Sequence, residues 1–372
     1  MPSEVEWLES LTPWPEEFGL ARMRKLLTVL GDPQRAYPAI HVVGSNGKTT
    51  TTRLAEALLA GEGLAVGAYT SPHVLGWPER IRVRGAEAEL DAALERVRAA
   101  AGDVGATQFE VLTAAALTEF AEAEVDVAVV EAGLGGRYDA TNVLSAPVVV
   151  LTNVSLEHTE VLGATREEIA AEKLAVVGAG STVILGEPEW EDLARSQGAA
   201  VVVVAGASNL ALALAAVESF LGRTADPANA EDIAVPGRVE RVSEAPLEIW
   251  DGAHNLAGVG WLLARLPNRR FVIVTSILAE KDAAGMLAAL SVLGDEIVVT
   301  ASSNPRSRAA EDLVRASARF FTEVEVVPDP AEAVARARER AGEDGAVLVT
   351  GSLYLLADLV PLRPATPVPW RP

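Results

Sequence analysis

The chain of 372 residues contains no cysteine. This absence excludes disulfide bonds, zinc sites built on thiolates and a cysteine nucleophile. Long apolar runs are also missing: Val125–Val130 and Val201–Ala205, which are among the longest, are too short to cross a bilayer and are interpreted as buried strands. The first residues lack the basic-then-apolar pattern of a signal peptide. We therefore expect a soluble, cytoplasmic protein.

Positive charge is scarce. The sequence has 31 Lys and Arg residues against 52 Asp and Glu residues, for a formal net charge of −21. Because nucleic-acid binding depends on a basic surface, this balance argues against a nucleic-acid partner, although a small anionic substrate needs only a few local cations. The lysines are Lys25, Lys48, Lys173 and Lys281, and three of them recur in the motifs below.

Short Val-, Ile- and Leu-rich runs alternate with longer Ala-, Leu-, Glu- and Arg-rich stretches, which is typical of parallel strands joined by helices. In the first part, the predicted strands are Ala39–Val43, Ala65–Tyr69, Val125–Glu131, Pro147–Thr152 and Thr182–Leu185. In the second part, they are Leu247–Trp250, Phe271–Thr275, Glu296–Ala301, Glu323–Val327 and Ala346–Thr350. The five strands of the second part, with helices between them, predict a small open Rossmann-like sheet.

The chain length suits two domains. Between Gly222 and Glu244, prolines and charges occur without periodicity, and this stretch is interpreted as the connection. We predict an N-terminal domain over residues 1–235, a linker over 236–244 and a C-terminal domain over 245–372. The Pro-rich tail, residues 361–372, is expected to be a loose end.

A glycine-rich loop follows the first predicted strand of the N-terminal domain. It runs Gly44-Ser45-Asn46-Gly47-Lys48-Thr49-Thr50 and leads into a predicted helix. Strand, glycine turn and helix N-terminus place several backbone N–H groups at one point, where phosphate oxygens are stabilised. Lys48 can reach the β- and γ-phosphates of ATP, and a threonine hydroxyl can bind Mg²⁺. The spacing departs from the usual Walker A motif because Val42 replaces its first glycine.

Together, the alternating strands and helices and this loop predict an α/β fold with an N-terminal P-loop ATPase-like domain on a parallel sheet, followed by the smaller Rossmann-like domain. A series of further motifs occurs in a fixed order along nearly the whole chain. These are Thr70-Ser71-Pro72-His73, Glu79-Arg80-Ile81-Arg82-Val83, Phe109–Ala114, Glu131–Asn142, Thr152–Thr159, Glu172-Lys173, Pro236-Gly237-Arg238, Trp250–Asn255, Lys281-Asp282, Asn304-Pro305-Arg306 and Gly351–Tyr354. With the phosphate loop, they resemble the folylpolyglutamate synthase/dihydrofolate synthase branch of the Mur ligase superfamily.

The resemblance implies a reaction in which ATP phosphorylates a folate-type carboxylate and the amine of L-glutamate attacks the acyl phosphate. It implies Mg²⁺ bound by Thr49, Ser71, Glu131 and His158, and a Lys173 that is carbamylated. Oxygen ligands suit Mg²⁺, whereas spacing alone would not have suggested His158. Unmodified, Lys173 would repel the metal ion. Lys48, Lys173 and His254 are the implied catalytic residues.

The resemblance also implies binding residues. The nucleotide is expected in a cleft between the two domains, on Ser45, Asn46, Gly47, Lys48, Thr49, Asn209, Arg238 and Asp251. The pterin-bearing substrate is expected on Thr107, Gln108, Phe109, Glu110, Tyr138, Asp139 and Ala140. Phe109 and Tyr138 could equally be pterin platforms or core residues. Ser352 and Tyr354 are candidates for glutamate binding in the C-terminal glutamate ligase domain, and a monomer is the default expectation for the family.

Two alternatives stay open. The run Thr49–Thr52 is nearer to the peptidoglycan Mur ligases, and Leu256 stands where the family usually has proline. A Mur-type ligase for another carboxylate is therefore the first alternative. Those enzymes carry a UDP-binding domain before the phosphate loop, and the position of the loop lysine at residue 48 is expected to leave no room for one. The second is a non-catalytic ATP-binding protein, which would be expected to have lost Lys48, Glu131, His158 or Lys173. The motifs do not distinguish the first glutamate addition from polyglutamate extension.

Overall fold

Residues 3–363 are described by the structure, which is a computed structural model. They divide into two units. The first contains the residues up to Pro72 and Trp77–Ile233, and the second contains His73–Gly76 and the residues from Ala234 onward. Most of the tail expected over residues 361–372 lies outside the described residues. None of the helices between residues 3 and 363 has the length and apolar character needed to cross a membrane.

The first unit has a sheet flanked by helices. Its strands are β1 (Ala39–Val43), β2 (Val66–Tyr69), β3 (Ile81–Val83), β4 (Ala86–Glu87), β5 (Val127–Glu131), β6 (Val148–Leu151), β7 (Thr182–Leu185) and β8 (Val201–Val204). Its helices are α1 (Glu4–Ser10), α2 (Ala21–Val29), α3 (Lys48–Gly61), α4 (Leu90–Val104), α5 (Gln108–Glu122), α6 (Thr159–Leu162), α7 (Arg166–Leu174), α8 (Glu191–Ser196) and α9 (Asn209–Leu221).

The strand order of this sheet is β4-β3-β2-β5-β1-β6-β7-β8, and β2 to β8 in that order are parallel. Helices α3 and α9 pack on one face, against the side chains of Ile40, Val42 and Val150. The other face is covered by α1, α2, α4 and α5 at one end and by α7 and α8 at the other. The central strands are buried on both faces, which explains their continuous apolar sequence.

The second unit repeats this layering on a smaller scale. Its strands are β9 (Glu240–Glu244), β10 (Leu247–Asp251), β11 (Val272–Thr275), β12 (Glu296–Val299), β13 (Glu323–Val326) and β14 (Ala346–Thr350). Its helices are α10 (Leu256–Leu263), α11 (Ala283–Leu290), α12 (Ala310–Ser317), α13 (Pro330–Ala341) and α14 (Leu353–Asp358). The order is β13-β12-β11-β14-β10-β9, with α10, α11 and α12 on one face and α13 and α14 on the other.

The predicted α/β class and the ten predicted strands are confirmed, with strand ends within two residues of those expected. Val201–Val204 is a strand, but the expectation that it is buried was wrong: Val201 and Val204 are 50% and 41% exposed, because β8 lies at the edge of its sheet. The second sheet has six described strands instead of five. The added strand, β9, lies within the expected linker 236–244 and pairs antiparallel with β10. The proposed division at 235 and 245 stays a prediction.

A partly buried ion pair joins β10 to α13 in the second unit. Glu248 is fully buried, and its carboxylate accepts hydrogen bonds from Arg338 Nε at 2.6 Å and Arg338 Nη2 at 3.1 Å. Trp250 lies two residues further along the same face of the strand and donates its indole N–H to Glu248 at 2.6 Å. A carboxylate removed from water in this way depends on all three donors.

Replacing Arg338 by Met should destabilise the second unit by about 3 kcal/mol, because Glu248 would lose its counter-charge inside the protein. Arg336→Met is the matched control: Arg336 lies on the same helix, but its partners Glu325 and Glu339 are more exposed, so the expected loss is under about 1 kcal/mol. Urea unfolding followed by tryptophan fluorescence measures both. Equal losses in the two variants would contradict a dominant role for the Glu248 pair.

Candidate active site

Four neighbouring parallel strands of the first unit, β2, β5, β1 and β6, end at the same edge of the sheet. Glu131 is the last residue of β5, and Ser71 lies two residues beyond β2. The glycine-rich loop follows β1, and Asn153 lies two residues beyond β6. Ligands of open α/β sheets bind at this carboxyl edge, and the parallel arrangement of the strands therefore gathers Ser71, Glu131 and the glycine-rich loop there.

The glycine-rich loop is held in a shape that only glycine permits at two positions. Gly44 has φ +143°, and a Cβ there would lie 1.9 Å from Thr152 Oγ1. Gly47 has φ +83°, and a Cβ there would lie 2.5 Å from Asn209 Oδ1. Both are left-handed conformations that L side chains rarely adopt. Asn209 thus lies against the loop at Gly47, and its contact with the nucleotide stays a prediction.

The loop following β6 supports the phosphate loop through paired hydrogen bonds. Asn153 accepts the Ser45 N–H at its backbone oxygen (2.9 Å) and the Asn46 N–H at its side chain (3.0 Å). Its amide nitrogen donates back to Asn46 O at 3.0 Å. The Ser155 N–H donates to Ser45 Oγ at 3.0 Å. Asn153 and Ser155 lie in a motif of the sequence resemblance, but no role was predicted for either residue.

Three of the four predicted metal ligands lie together. Glu131 is 1% exposed. Its Oε1 accepts a hydrogen bond from Thr49 Oγ1 at 3.1 Å, and its Oε2 accepts one from the Ser71 N–H at 3.0 Å. A buried carboxylate beside a hydroxyl supplies the hard oxygen atoms that a divalent cation prefers, so these residues fit a metal ion.

The fourth predicted ligand, His158, occupies the N-cap position of α6 with φ +48°. Within residues 3–363, no three His, Asp or Glu side chains form a group arranged to hold a metal ion. Glu131 and Thr49 contribute one carboxylate and one hydroxyl oxygen to the candidate metal site. The role of His158 as a metal ligand stays a prediction.

Two lysines converge on the carbonyl oxygen of Gly44. Lys48 Nζ donates to it at 3.0 Å and also to Ser45 O at 3.2 Å. Lys173, from the last turn of α7, is 2% exposed and donates to the same Gly44 oxygen at 3.1 Å and to Glu157 Oε1 at 3.3 Å. Glu157 was not among the predicted site residues.

The pKa values of Lys173 and Glu157 are shifted in directions that favour a reactive lysine. Burial lowers the pKa of Lys173 to about 8, because desolvation outweighs the opposing attraction of Glu157. Burial alone would raise the pKa of Glu157, but the charges of Lys173 and Lys48 and a hydrogen bond from Ser45 lower it to about 2. Glu157 is therefore the anion of this pocket, and Lys173 has an accessible neutral form near neutral pH.

The segment Gly133–Asn142 forms a loop beside β1, and Asp139 holds it together. The Asp139 carboxylate accepts the backbone N–H groups of Leu134 at 2.8 Å and of Thr141 at 3.0 Å, and also the Thr141 hydroxyl. Thr141 Oγ1 lies 2.8 Å from His41 Nε2 on β1. The structure thus places the predicted substrate residue Asp139 inside the loop, with its oxygens engaged there. Its neighbour Tyr138 is 52% exposed, whereas Ala140 is buried.

The predicted substrate segment Thr107–Glu110 begins α5. Thr107 and Glu110 form a capping box, in which Glu110 accepts the Thr107 N–H at 2.8 Å and Thr107 caps the Glu110 N–H. Arg22 Nε donates to Glu110 at 2.7 Å, and Gln108 Nε2 donates to Leu8 O at 3.2 Å. These side chains are engaged in holding α5. Phe109 is partly buried and packs on the apolar core, with its ring centroid 6.1 Å from that of Tyr69.

In the second unit, Arg238, Asp251 and His254 gather around the end of β10. Asp251 is buried and accepts the N–H groups of Val239 and Ala253, both at 2.8 Å. Burial raises the pKa of Asp251, against the opposing charge of Arg238. His254 Nδ1 lies 2.9 Å from Gly252 O. Three residues that the sequence predicted for nucleotide binding and catalysis therefore share one edge of this sheet.

The class of protein follows from comparison with known families. Residues 42–225 match the Mur ligase middle domain, and residues 237–353 match the Mur ligase glutamate ligase domain. The dihydrofolate synthase/folylpolyglutamate synthase of Mycobacterium tuberculosis is 37% identical over 83% of this chain and 80% of its own length. The chain belongs to the folylpolyglutamate synthase/dihydrofolate synthase family, and the predicted family is confirmed.

Solved structures agree with this membership. Escherichia coli FolC in complex with DHPP and ADP has a TM-score of 0.87 and 31% identity over 97% of both chains. The Yersinia pestis bifunctional folylpolyglutamate synthase/dihydrofolate synthase with Mn, AMPPNP and L-glutamate bound has a TM-score of 0.86 and 32% identity, covering 97% of this chain and 98% of that one. The two-domain α/β architecture predicted from the sequence is therefore that of the family.

The burial of His41 makes the stability of the protein depend on pH. Burial lowers the pKa of His41 to about 4, from about 6.5 in an unfolded chain. Its contribution to the free energy of unfolding is therefore complete above pH 6.5 and is lost as the pH falls through 4, by about 3 kcal/mol in total. The His41→Gln variant should not show this decrease in the free energy of unfolding. Urea unfolding of both proteins between pH 7 and pH 4 measures the difference, and parallel stability curves would contradict the prediction.

Proposed function

We propose that this protein is an ATP-dependent ligase that joins L-glutamate to the carboxylate of a folate-type acceptor through an acyl phosphate. The observation that carries the proposal is the convergence of Lys48, Lys173 and Glu131 on one sheet edge, in a chain of this family. The relatives support the substrates: the E. coli protein binds DHPP and ADP, and the Y. pestis protein binds AMPPNP and L-glutamate.

The nucleotide phosphates are assigned to the loop Ser45–Thr49. The backbone N–H groups of this loop and the start of α3 present partial positive charge, and Lys48 adds a full one. When a triphosphate binds, Lys48 exchanges its two carbonyl partners for phosphate oxygens. Asn209 borders the same loop, and Arg238 and Asp251 are the proposed nucleotide contacts of the second unit. Such a site accelerates phosphoryl transfer mainly by positioning and by neutralising charge.

We assign a divalent cation, with Mg²⁺ as the physiological ion, to Thr49, Ser71 and Glu131, with His158 as a further ligand. The bound cation supplies charge neutralisation on the transferred phosphoryl group. The Y. pestis relative carries Mn with its nucleotide analogue, which supports a divalent ion. The side chains of this chain do the rest: Glu131 fixes Thr49 and the Ser71 backbone, and Lys48 orients the nucleotide.

Lys173 is proposed to act as a carbamate. Only a neutral amine reacts with CO₂, and a pKa of about 8 leaves roughly one lysine in ten neutral at pH 7. Carbamylation would replace a buried cation, repelled by Lys48, with an anion attracted to Lys48 and to the metal ion. His254 of the second unit is the remaining proposed catalytic residue. The protein is further proposed to act in the cytoplasm, where ATP is available, and as a monomer.

The acceptor is tested by ADP release and by mass spectrometry of the product. We expect glutamate-dependent ADP release with dihydropteroate or with a reduced folate, and a product heavier by one glutamyl residue. Comparison of the two acceptors shows whether the enzyme adds the first glutamate, extends folates or does both. Absence of product with both acceptors, in protein that binds ATP, would refute the folate assignment and favour another carboxylate.

Lys173→Ala should lose most ligase activity, because the buried site would lack the carbamate. Short carboxylic acids such as acetate should restore part of that activity by occupying the vacated space. Lys25→Ala is the matched control, since Lys25 is exposed on α2. Rates of ADP release with and without added acetate are compared for the wild type, Lys173→Ala and Lys25→Ala. Full activity of unsupplemented Lys173→Ala would contradict the carbamate role.

A further inference from the structure

The phosphate loop depends for its position on the segment Thr152–Ser155. Asn153 and Ser155 contact Ser45 and Asn46 directly, as described above. Thr152 Oγ1 adds a hydrogen bond to Asn46 O at 2.7 Å. Any group that fixes the backbone of this segment therefore also restricts the phosphate loop indirectly.

Val154 is the point where that backbone is fixed. Its side chain is buried in the apolar core between β6 and α7. Its N–H donates to Glu187 Oε2 at 3.0 Å, and its carbonyl oxygen accepts from Arg166 Nε at 2.9 Å. The backbone N–H and carbonyl groups of Val154, which lies between Asn153 and Ser155, are thus both held by side chains from elsewhere in the chain. Arg166 begins α7, and Glu187 follows β7.

Arg166 and Glu187 also hold each other. Arg166 Nη2 donates to Glu187 Oε1 at 3.0 Å, and the guanidinium carbon lies 5.2 Å from the ring centroid of Trp190. The indole N–H of Trp190 donates to Glu187 Oε2 at 2.8 Å. The pair is partly shielded from water, with side chains 38% and 27% exposed. Charge-assisted hydrogen bonds in such surroundings are stronger than those at a fully exposed site.

We propose that Arg166 and Glu187 are positioning residues for the nucleotide, acting through Val154 on the phosphate loop. Neither side chain has a described contact with that loop, so they act by restricting where Asn153 and Ser155 can lie. Arg166 and Lys173 lie on the same helix, two turns apart, so Arg166 also joins the start of α7 to this segment. The inference rests on the proposed function, because it requires that the loop Ser45–Thr49 binds the triphosphate.

The test compares Glu187→Ala and Arg166→Ala with Glu189→Ala. Glu189 provides a matched control because it pairs with Arg166 Nη1 at 2.6 Å and has no described contact with Val154. We expect the first two variants to raise the KM and Kd for ATP about tenfold, the effect of losing one charge-assisted hydrogen bond. The KM for glutamate should stay within about twofold, and Glu189→Ala should resemble the wild type.

A merely structural role would lower the melting temperature and affect both substrates alike. Equal changes in the KM for ATP and for glutamate, or an unchanged Kd for ATP in folded variants, would overturn the inference. If Glu187→Ala does not fold, Glu187→Gln tests the same contact, since it keeps an acceptor for Val154 but removes the charge opposite Arg166. Its expected increase in the Kd for ATP is smaller but in the same direction, and no increase would overturn the inference.

Lys48→Ala, measured in parallel by calorimetry, distinguishes failure of the proposed phosphate site from failure of the positioning role. If Lys48→Ala binds ATP as well as the wild type does, the proposed phosphate site fails and the inference fails with it. If Lys48→Ala loses ATP affinity while Arg166→Ala and Glu187→Ala keep it, only the positioning role is refuted. If all three variants lose ATP affinity while Glu189→Ala keeps it, the result supports both the phosphate site and the positioning role.

Discussion

The site of the first unit depends on one carbonyl oxygen, that of Gly44, which accepts hydrogen bonds from Lys48 and Lys173. Two ammonium groups this close repel each other, and Glu157 supplies the compensating charge beside them. The arrangement requires Gly44 in a left-handed conformation against Thr152. It therefore links the phosphate loop, the segment after β6 and helix α7 into one unit. Burial then gives Lys173 the lowered pKa on which its proposed modification depends.

Much of the fold could be predicted from the sequence. Parallel strands buried on both faces give unbroken Val- and Ile-rich runs, so β1 and β7 are predicted to the residue. The glycine-rich loop follows from a strand, a turn and a helix in that order, and the ordered motifs identify the family. The edge strand β8 has the same composition as a central strand, so sequence alone could not show that Val201 is exposed. Strand β9 lacks a clear apolar pattern because one of its buried positions is occupied by Glu240, which pairs with Arg363.

The site residues were less predictable, because their roles depend on contacts between distant parts of the chain. Glu110 is engaged by Arg22, 88 positions earlier, and Lys173 by Gly44, 129 positions earlier. A motif identifies Asp139 but does not show that its carboxylate is engaged within its own loop. Arg166 and Glu187 carry no motif of their own. Only the folded chain brings both to Val154, which lies between the two residues that contact the phosphate loop.

The central claim is that the sheet edge of the first unit transfers a phosphoryl group from ATP to an acceptor carboxylate. Its most direct test is ligation with a folate-type acceptor whose reacting carboxylate carries oxygen-18, followed by mass spectrometry of the released phosphate. An acyl phosphate intermediate transfers one carboxylate oxygen to phosphate, so we predict labelled phosphate in step with product. Unlabelled phosphate alongside full product formation would contradict the account.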